Sequence, residues 1–275
     1  MVAHRLRILG VKREKRFSAH RIEDDAAILA FTAEEIRRKG PLVELLDARQ
    51  LTSKLPPAMT FGMCEGARSL ELLERWEGLG YPVINSPQAV RNCHRRKMLS
   101  LLAETQTLVP TSLITGTSAR DQEPLDLKKG IWVKRWDVQG TARSDVRLVF
   151  DKTSLRKALT EERMRGVKKV ILQEHIRGDP IKFYGIRNSG WFRCFYNKSY
   201  RLVGQAAFVQ EIQKTAEATA EKLGLLIYGG DAVVTEDKHY LIDFNSWPSF
   251  AACRKEAAER IASFLVERHR MWVNG

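Results

Sequence analysis

Tyr228-Gly229-Gly230-Asp231-Ala232-Val233-Val234 and Leu241-Ile242-Asp243-Phe244-Asn245-Ser246-Trp247-Pro248 decide the fold of this chain. Each is a short apolar run of strand type, and Thr235-Glu236-Asp237-Lys238 between them reads as a turn. A turn centred near Asp237 sets Asp231 opposite Asp243 across a hairpin, with Cβ atoms about 5 Å apart. Strand side chains alternate, so Asn245 points to the same face as Asp243. Two carboxylates and an amide oxygen on one face suit a hard cation such as Mg²⁺. Facing carboxylates also repel, which calls for positive charge beside them. The alternative is an ordinary Asp-containing hairpin in which Asp-x-Asn serves a turn.

Outward from the hairpin, strands and helices alternate. Residues 5–11 predict a first strand, followed by the basic loop Lys12 to Arg21 and a helix over about 23–38 that Gly40 stops. Strands at 42–46, 59–64 and 82–85, with a helix ending near 78, complete a parallel α/β layer of about 85 residues. Beyond Ser86-Pro87 come a helix over about 94–105, strands at 108–114, 131–135, 146–150 and 170–175, and a helix over 153–165. Strands after Gly178, a helix near 208–223, the aspartate hairpin and a last helix over 254–269 close the chain. The expected organisation is an N-terminal α/β domain at 1–85, a central lobe at 86–178 and a C-terminal lobe at 179–275.

Lys+Arg number 46 against 33 Asp+Glu in 275 residues, a formal surplus of 13 that favours a polyanionic partner. The surplus is interleaved through the chain, unlike a basic nucleic-acid-binding arm, and no aromatic RNA-binding platform motif is present. No apolar run reaches the ~20 residues that span a bilayer. The four cysteines, Cys64, Cys93, Cys194 and Cys253, are scattered, as expected of free thiols in a reducing cytoplasm. The expectation is a cytoplasmic monomer or weak oligomer that binds neither nucleic acid nor membrane.

Two lysines stand out. Lys134 lies inside the apolar strand Ile131-Trp132-Val133-Lys134, where it either reaches a phosphate or guards a sheet edge. Lys97 ends Arg95-Arg96-Lys97 at a helix start, where basic residues oppose the dipole unless an anion is held there; the alternative is a solvated basic turn. The small-residue loop Asp137 to Asp145, containing Gly140 and Arg143, suits closure over phosphates by backbone N–H groups. No Gly-x-x-x-x-Gly-Lys occurs, which excludes a Walker-type NTPase.

In this order, Lys97, Lys134, the small-residue loop, Gln173-Glu174-His175-Ile176, Asp231 and Asp243-Phe244-Asn245 resemble the ATP-grasp superfamily over about residues 86–275. Within it the chain resembles the ATP-grasp inositol-polyphosphate kinases and, more closely still, a group of bacterial and archaeal ATP-grasp proteins of uncharacterised activity that carry Ile-Lys-Phe-Tyr-Gly and Asp-Phe-Asn-x-Trp-Pro-Ser-Phe, as Ile181 to Gly185 and Asp243 to Phe250 do here. Three stretches carry the likeness to the kinases: Gly140-Thr141-Ala142-Arg143-Ser144, Ile181-Lys182-Phe183-Tyr184-Gly185 and Asp243-Phe244-Asn245-Ser246-Trp247-Pro248-Ser249. It departs from the kinases in lacking a histidine in the small-residue loop and in carrying Ser249 where a glycine is usual.

The resemblance implies an α/β protein whose two-lobed part holds ATP between antiparallel sheets. Lys97, Lys134 and Gly140 would hold the ATP phosphates. Gln173, Glu174, His175 and Ile176 would receive adenine, and Asp179 would take a ribose hydroxyl. Asp231, Asp243 and Asn245 would hold one or two Mg²⁺ ions. Lys182 and Arg143 would offset charge on the transferred phosphoryl. An inositol phosphate or similar phosphorylated polyol would be the acceptor, met by Lys182, Asn245, Ser249 and the first-loop residues Arg16, His20 and Arg21. Those three loop residues read equally well as solvated charges. The rival activity is a carboxylate–amine ligase that uses the same ATP site to make an acyl phosphate.

Overall fold

The computed structural model describes residues 7–18, 21–53, 56–118, 125–136, 145–197, 199–204 and 206–274. Its strands form three four-stranded sheets. The first is parallel, in the order β2-β1-β3-β4, from β1 (Ile8–Lys12), β2 (Val43–Asp47), β3 (Met59–Gly62) and β4 (Val83–Ile84). Two helices connect its strands: α1 (Ile22–Arg38) joins β1 to β2, and α2 (Ala67–Gly78) joins β3 to β4. Ile28, Leu29, Ala33 and Ile36 recur at helical spacing on α1 and are fully buried.

The second sheet is antiparallel, in the order β5-β8-β6-β7, from β5 (Ser112–Gly116), β6 (Ile131–Arg135), β7 (Val146–Val149) and β8 (Lys169–Glu174). Helix α5 (Lys152–Met164) covers one face, and Asp151 caps it by accepting the Ser154 N–H at 2.8 Å. The resulting core, which includes Ile131, Val133, Leu155 and Leu172, is separate from the rest of the molecule.

The third sheet, β10-β9-β11-β12, is antiparallel: β9 (Asp179–Ile186), β10 (Trp191–Tyr196), β11 (Ile227–Val234) and β12 (His239–Ser246). Strand alternation divides its labour. Ile181, Phe183, Tyr228, Ala232 and Phe244 point to one face, where α6 (Ala206–Leu223) packs. The short helices α3 (Pro87–Asn92) and α4 (Arg95–Leu102) join that same core through Ala89, Cys93, Met98 and Leu102. Residues 87–102, expected in the central lobe, therefore pack with the C-terminal sheet, because their apolar side chains meet α6.

On the other face of the third sheet, Tyr184, Ile186 and Ile227 share a core with Ile8, Met59 and Phe61 of the parallel layer and with α7 (Arg254–Asn274). The parallel layer and the C-terminal sheet thus form one packed body. Asn85 joins them: buried, it donates to the Ile227 carbonyl at 2.6 Å and Ser246 Oγ at 3.0 Å and accepts the Leu226 and Ile227 N–H groups at 2.8 and 3.0 Å. The four cysteines are free, and among the described residues no helix is long and apolar enough to cross a membrane.

Candidate functional site

The aspartate hairpin forms with Asp231 directly opposite Asp243. Nearer the turn, Ala232 faces Leu241 and Val234 faces His239, so Ile242 is an extra, bulged residue. Without the bulge Asp231 would face Ile242, and the carboxylates would lie on opposite faces. The glycines before Asp231 serve close packing. A Cβ on Gly229 would lie 2.7 Å from Pro248 Cγ, and one on Gly230 would lie 2.4 Å from the Phe183 ring.

On the other side of β11, Asp231 pairs in register with Lys182 of β9, and the Lys182 ammonium bonds Asp231 Oδ1. Lys182, Asp231 and Asp243 thus form a straight row across three strands. The positive charge that the facing carboxylates require comes from the neighbouring strand. Asp243 Oδ1 also accepts the Phe244 N–H at 3.0 Å.

Across a cleft of about 480 Å³, the second sheet presents Lys134 and Gln173 to this row. Lys134 Nζ donates to Gln173 Oε1 at 2.5 Å, and Gln173 Nε2 donates to Ser112 Oγ at 3.0 Å. Lys134 is only 9% exposed. Burial pushes its ammonium down to about 8, against the pull of Asp243 and Asp231, while Arg95 lowers it further. Arg95, at the first position of α4, is buried at 7% exposure and lines the cleft. Lys97, two residues on, is exposed and outside the cleft lining. The basic helix start thus turns a different side chain inward from the one expected, because helix phase separates positions two apart by about 200°. Arg21 reaches the cleft from the first loop of the parallel layer.

The connector after β8 forms one end of the cleft. Trp132 Nε1 donates to His175 Nδ1 at 3.1 Å, and burial lowers the His175 pKa. The N–H groups of Glu174 and His175 are used by the Thr111 and Gly130 carbonyls, at 2.9 and 3.0 Å. Glu174, His175 and Ile176 all line the cleft.

Several expected site residues lie elsewhere. Asp179 is exposed at the start of β9, paired in register with Val234, and the cleft begins at its neighbours Gly178 and Pro180. Asn245 shares the Asp243 face but sits opposite Gly229, beyond the cleft lining. Ser249 is 3% exposed and away from the cleft. Trp247 and Phe250 adopt positive φ of 53° and 50° and turn the segment into the core. There Trp247 stacks on Phe61 at 5.5 Å and Phe250 meets Tyr184 at 5.0 Å. Arg16 lies in a separate pocket of the parallel layer rather than with Arg21. His20, Gly140 and Arg143 fall outside the described residues.

The cleft thus gathers Arg21, Arg95, Lys134 and Lys182 around two facing aspartates, between two antiparallel sheets. Solved structures share this fold over 94% or more of the chain. This is the ATP-grasp fold. The RimK domain ATP-grasp protein of Sphaerobacter thermophilus is similar at TM-score 0.73 and 18% identity, over 94% of this chain and 99% of that one. The D-alanine–D-alanine ligase of Bacillus anthracis, complexed with ATP, is similar at TM-score 0.71 and 13% identity, over 97% and 99%. The ATP-grasp ligase PsnB, complexed with precursor peptide PsnA2 and AMPPNP, is similar at TM-score 0.70 and 17% identity, over 97% and 98%. No family profile matches the sequence, and no curated protein matches it. These three structures are ligases or of the RimK type and give no support to the expected likeness to inositol-polyphosphate kinases.

The donor set can be tested against Mg²⁺. Among the described residues no group of three or more His, Cys, Asp or Glu side chains could enclose a metal. Asp231 and Asp243 supply two carboxylates on an open cleft. That fits an ion that keeps much of its water and shares its ligands with a phosphate chain, rather than one held in a protein cage.

Proposed function

We propose that this protein is an ATP-dependent ligase that joins a carboxylate to an amine through an acyl phosphate. The observation that carries this reading is the Lys182–Asp231–Asp243 row facing Lys134 and Arg95 across the cleft. Whole-chain similarity to ligases supports the choice of acceptor, in place of the polyol phosphate expected from sequence.

Lys134 and Arg95 would meet the α- and β-phosphates, whose charge accounts for two buried cations in one place. Asp231 and Asp243 would hold Mg²⁺, which when bound supplies charge neutralisation between the β- and γ-phosphates. Lys182, which bonds Asp231 at the cleft wall, would offset charge on the moving phosphoryl group. A carboxylate oxygen forms the new P–O bond as the β,γ-bridging bond breaks and ADP leaves. The amine then attacks the acyl carbon, phosphate departs, and the amine proton passes to solvent or phosphate.

The lack of a free general base among the described residues of the cleft also favours a carboxylate over an alcohol. A carboxylate arrives ionised and needs no general base. Asp231 and Asp243 would be engaged by Mg²⁺ and Lys182, so neither stands free as a general base. His175 is tied to Trp132 at the far connector.

Trapping tests this reading. The protein would be incubated with Mg-ATP, hydroxylamine and a panel of amino acids, dicarboxylates and peptides. Acid-dependent hydroxamate together with ADP and phosphate is the expected result. A stable phosphate monoester on inositol phosphates, with no free phosphate, would restore the kinase reading and refute this one.

A further inference from the structure

A second pocket, of about 440 Å³, opens at the C-terminal end of the parallel sheet and shares no lining residue with the cleft. Its wall contains Arg13, Lys15, Arg16, Arg49 and Arg68 against only two acids, Glu14 and Asp47. Both acids are already committed. Glu14 occupies the N-terminus of α2, where it accepts the Glu65 and Gly66 N–H groups at 3.0 and 3.1 Å and the Ser69 hydroxyl at 2.9 Å. The chain thus supplies its own anion to that helix end. Asp47 faces Lys12 at 4.0 Å.

Arg13 turns inward, where it pairs with Asp25 and Glu65 at 3.2 Å each and donates to the Trp247 carbonyl at 3.0 Å. Arg16, Arg49 and Arg68 have no carboxylate partner among the described residues, and Arg16 is held over the Phe17 ring at 4.6 Å. Three guanidinium groups converging on one concavity repel one another unless an anion lies between them. Guanidinium forks match the paired oxygens of carboxylates and phosphates. The site also lies where parallel α/β layers bind ligands, beyond the carboxyl ends of their strands.

We propose that this pocket binds a small organic polyanion, a phosphate ester or a polycarboxylate, through Arg16, Arg49 and Arg68. A concavity of this size favours a small molecule over a nucleic acid, which would need an extended basic stripe. The proposal does not depend on which acceptor the cleft uses, because binding is measured without turnover.

The test is calorimetric titration of the full chain, without nucleotide and at fixed ionic strength, with pyrophosphate in one arm and citrate in the other. Saturable one-to-one binding of either probe is expected, and the arm that binds names the anion class. Arg49→Ala and Arg68→Ala should each weaken it about tenfold or more, the loss typical of a charge-assisted contact. Arg49→Lys should lose less, since it keeps the charge and gives up the fork. Affinity for a fluorescent ATP analogue should be unchanged in these variants, and their melting temperatures should match wild type because both side chains are exposed. No saturable binding of either probe, equal binding by the alanine variants, or a parallel loss of nucleotide affinity would each overturn the proposal.

Discussion

Raising the pH from 7 to 9.5 should release nucleotide from the cleft through one side chain, Lys134. Burial holds its ammonium at about 8, where an ordinary lysine titrates at 10.5. If the phosphates require the charged form, the apparent Kd grows as one plus the ratio of neutral to charged lysine. At pH 9 that ratio is about 10, so affinity should fall about tenfold from its value at pH 7. A lysine of ordinary pKa would change it by only about 3%.

The thiols do not titrate in this window. Burial pushes all four upward, Cys194 and Cys253 to about 12 and Cys64 and Cys93 higher still. The assay is fluorescence titration of an ATP analogue at half-unit pH steps and constant Mg²⁺. Lys134→Arg should flatten the alkaline limb, because arginine stays charged throughout.

Stability of the nucleotide-free protein gives a second readout. Its folded pKa lies below the unfolded one, so the unfolded chain binds more protons between pH 8 and 10.5 and stability should rise across that window. The gain attributable to Lys134 is about 3 kcal/mol, and it should be absent from Lys134→Met. A Kd that is flat between pH 7.5 and 9.5 would refute the reasoning, whatever happens to stability.

Three further perturbations follow. Arg95→Ala should weaken nucleotide binding by roughly 10- to 100-fold, whereas Lys97→Ala should stay within about twofold; equal effects would contradict the placement of α4. Asp243→Asn should raise the Mg²⁺ concentration for half-maximal nucleotide binding by about tenfold or more while leaving the melting temperature unchanged or higher, since it removes one of two facing carboxylates; an unaltered Mg²⁺ titration would count against the metal role. Asn85→Ala should cost about 3 kcal/mol or more in urea unfolding, because it strands the buried groups of Leu226, Ile227 and Ser246; a loss below about 1 kcal/mol would show that water replaces the amide.

The order of strands and helices was legible because hydrophobic period and turn residues are local signals. The helix expected over 23–38 spans Ile22–Arg38, and the strand expected at 131–135 is β6. The aspartate pairing was legible for the same reason, although its bulge was not: the turn is centred one half-residue off, and Ile242 restores the register. Lys134 stood out as a charge within an apolar strand. Arg95 did not, since three consecutive basic residues carry no mark of which one a helix turns inward. Helix phase counted from the buried Met98 and Leu102 places Arg95 on their face, three residues before Met98, and that count was available.

The stretch from Ser246 to Phe250 teaches the opposite lesson. In sequence it belongs to a motif that resembles polyphosphate kinases; in the folded protein it anchors the C-terminal sheet to the parallel layer, with Trp247 and Phe250 fully buried. A distinctive motif of aromatic and turn residues can serve packing as readily as chemistry, and only its neighbours tell which.

Local physics alone placed two carboxylates across one hairpin and one lysine within one apolar strand, because alternation and turn geometry reach only a few residues. Which charges meet depends on contacts between segments far apart in the chain. Lys182 lies 49 residues from Asp231, and the second sheet brings Lys134 to the same cleft. Tertiary packing also separated Arg16 from Arg21, leaving one in a pocket of its own and the other at the cleft. Charge is a property of residues, but a site is a property of distances, and those were set by how three sheets pack.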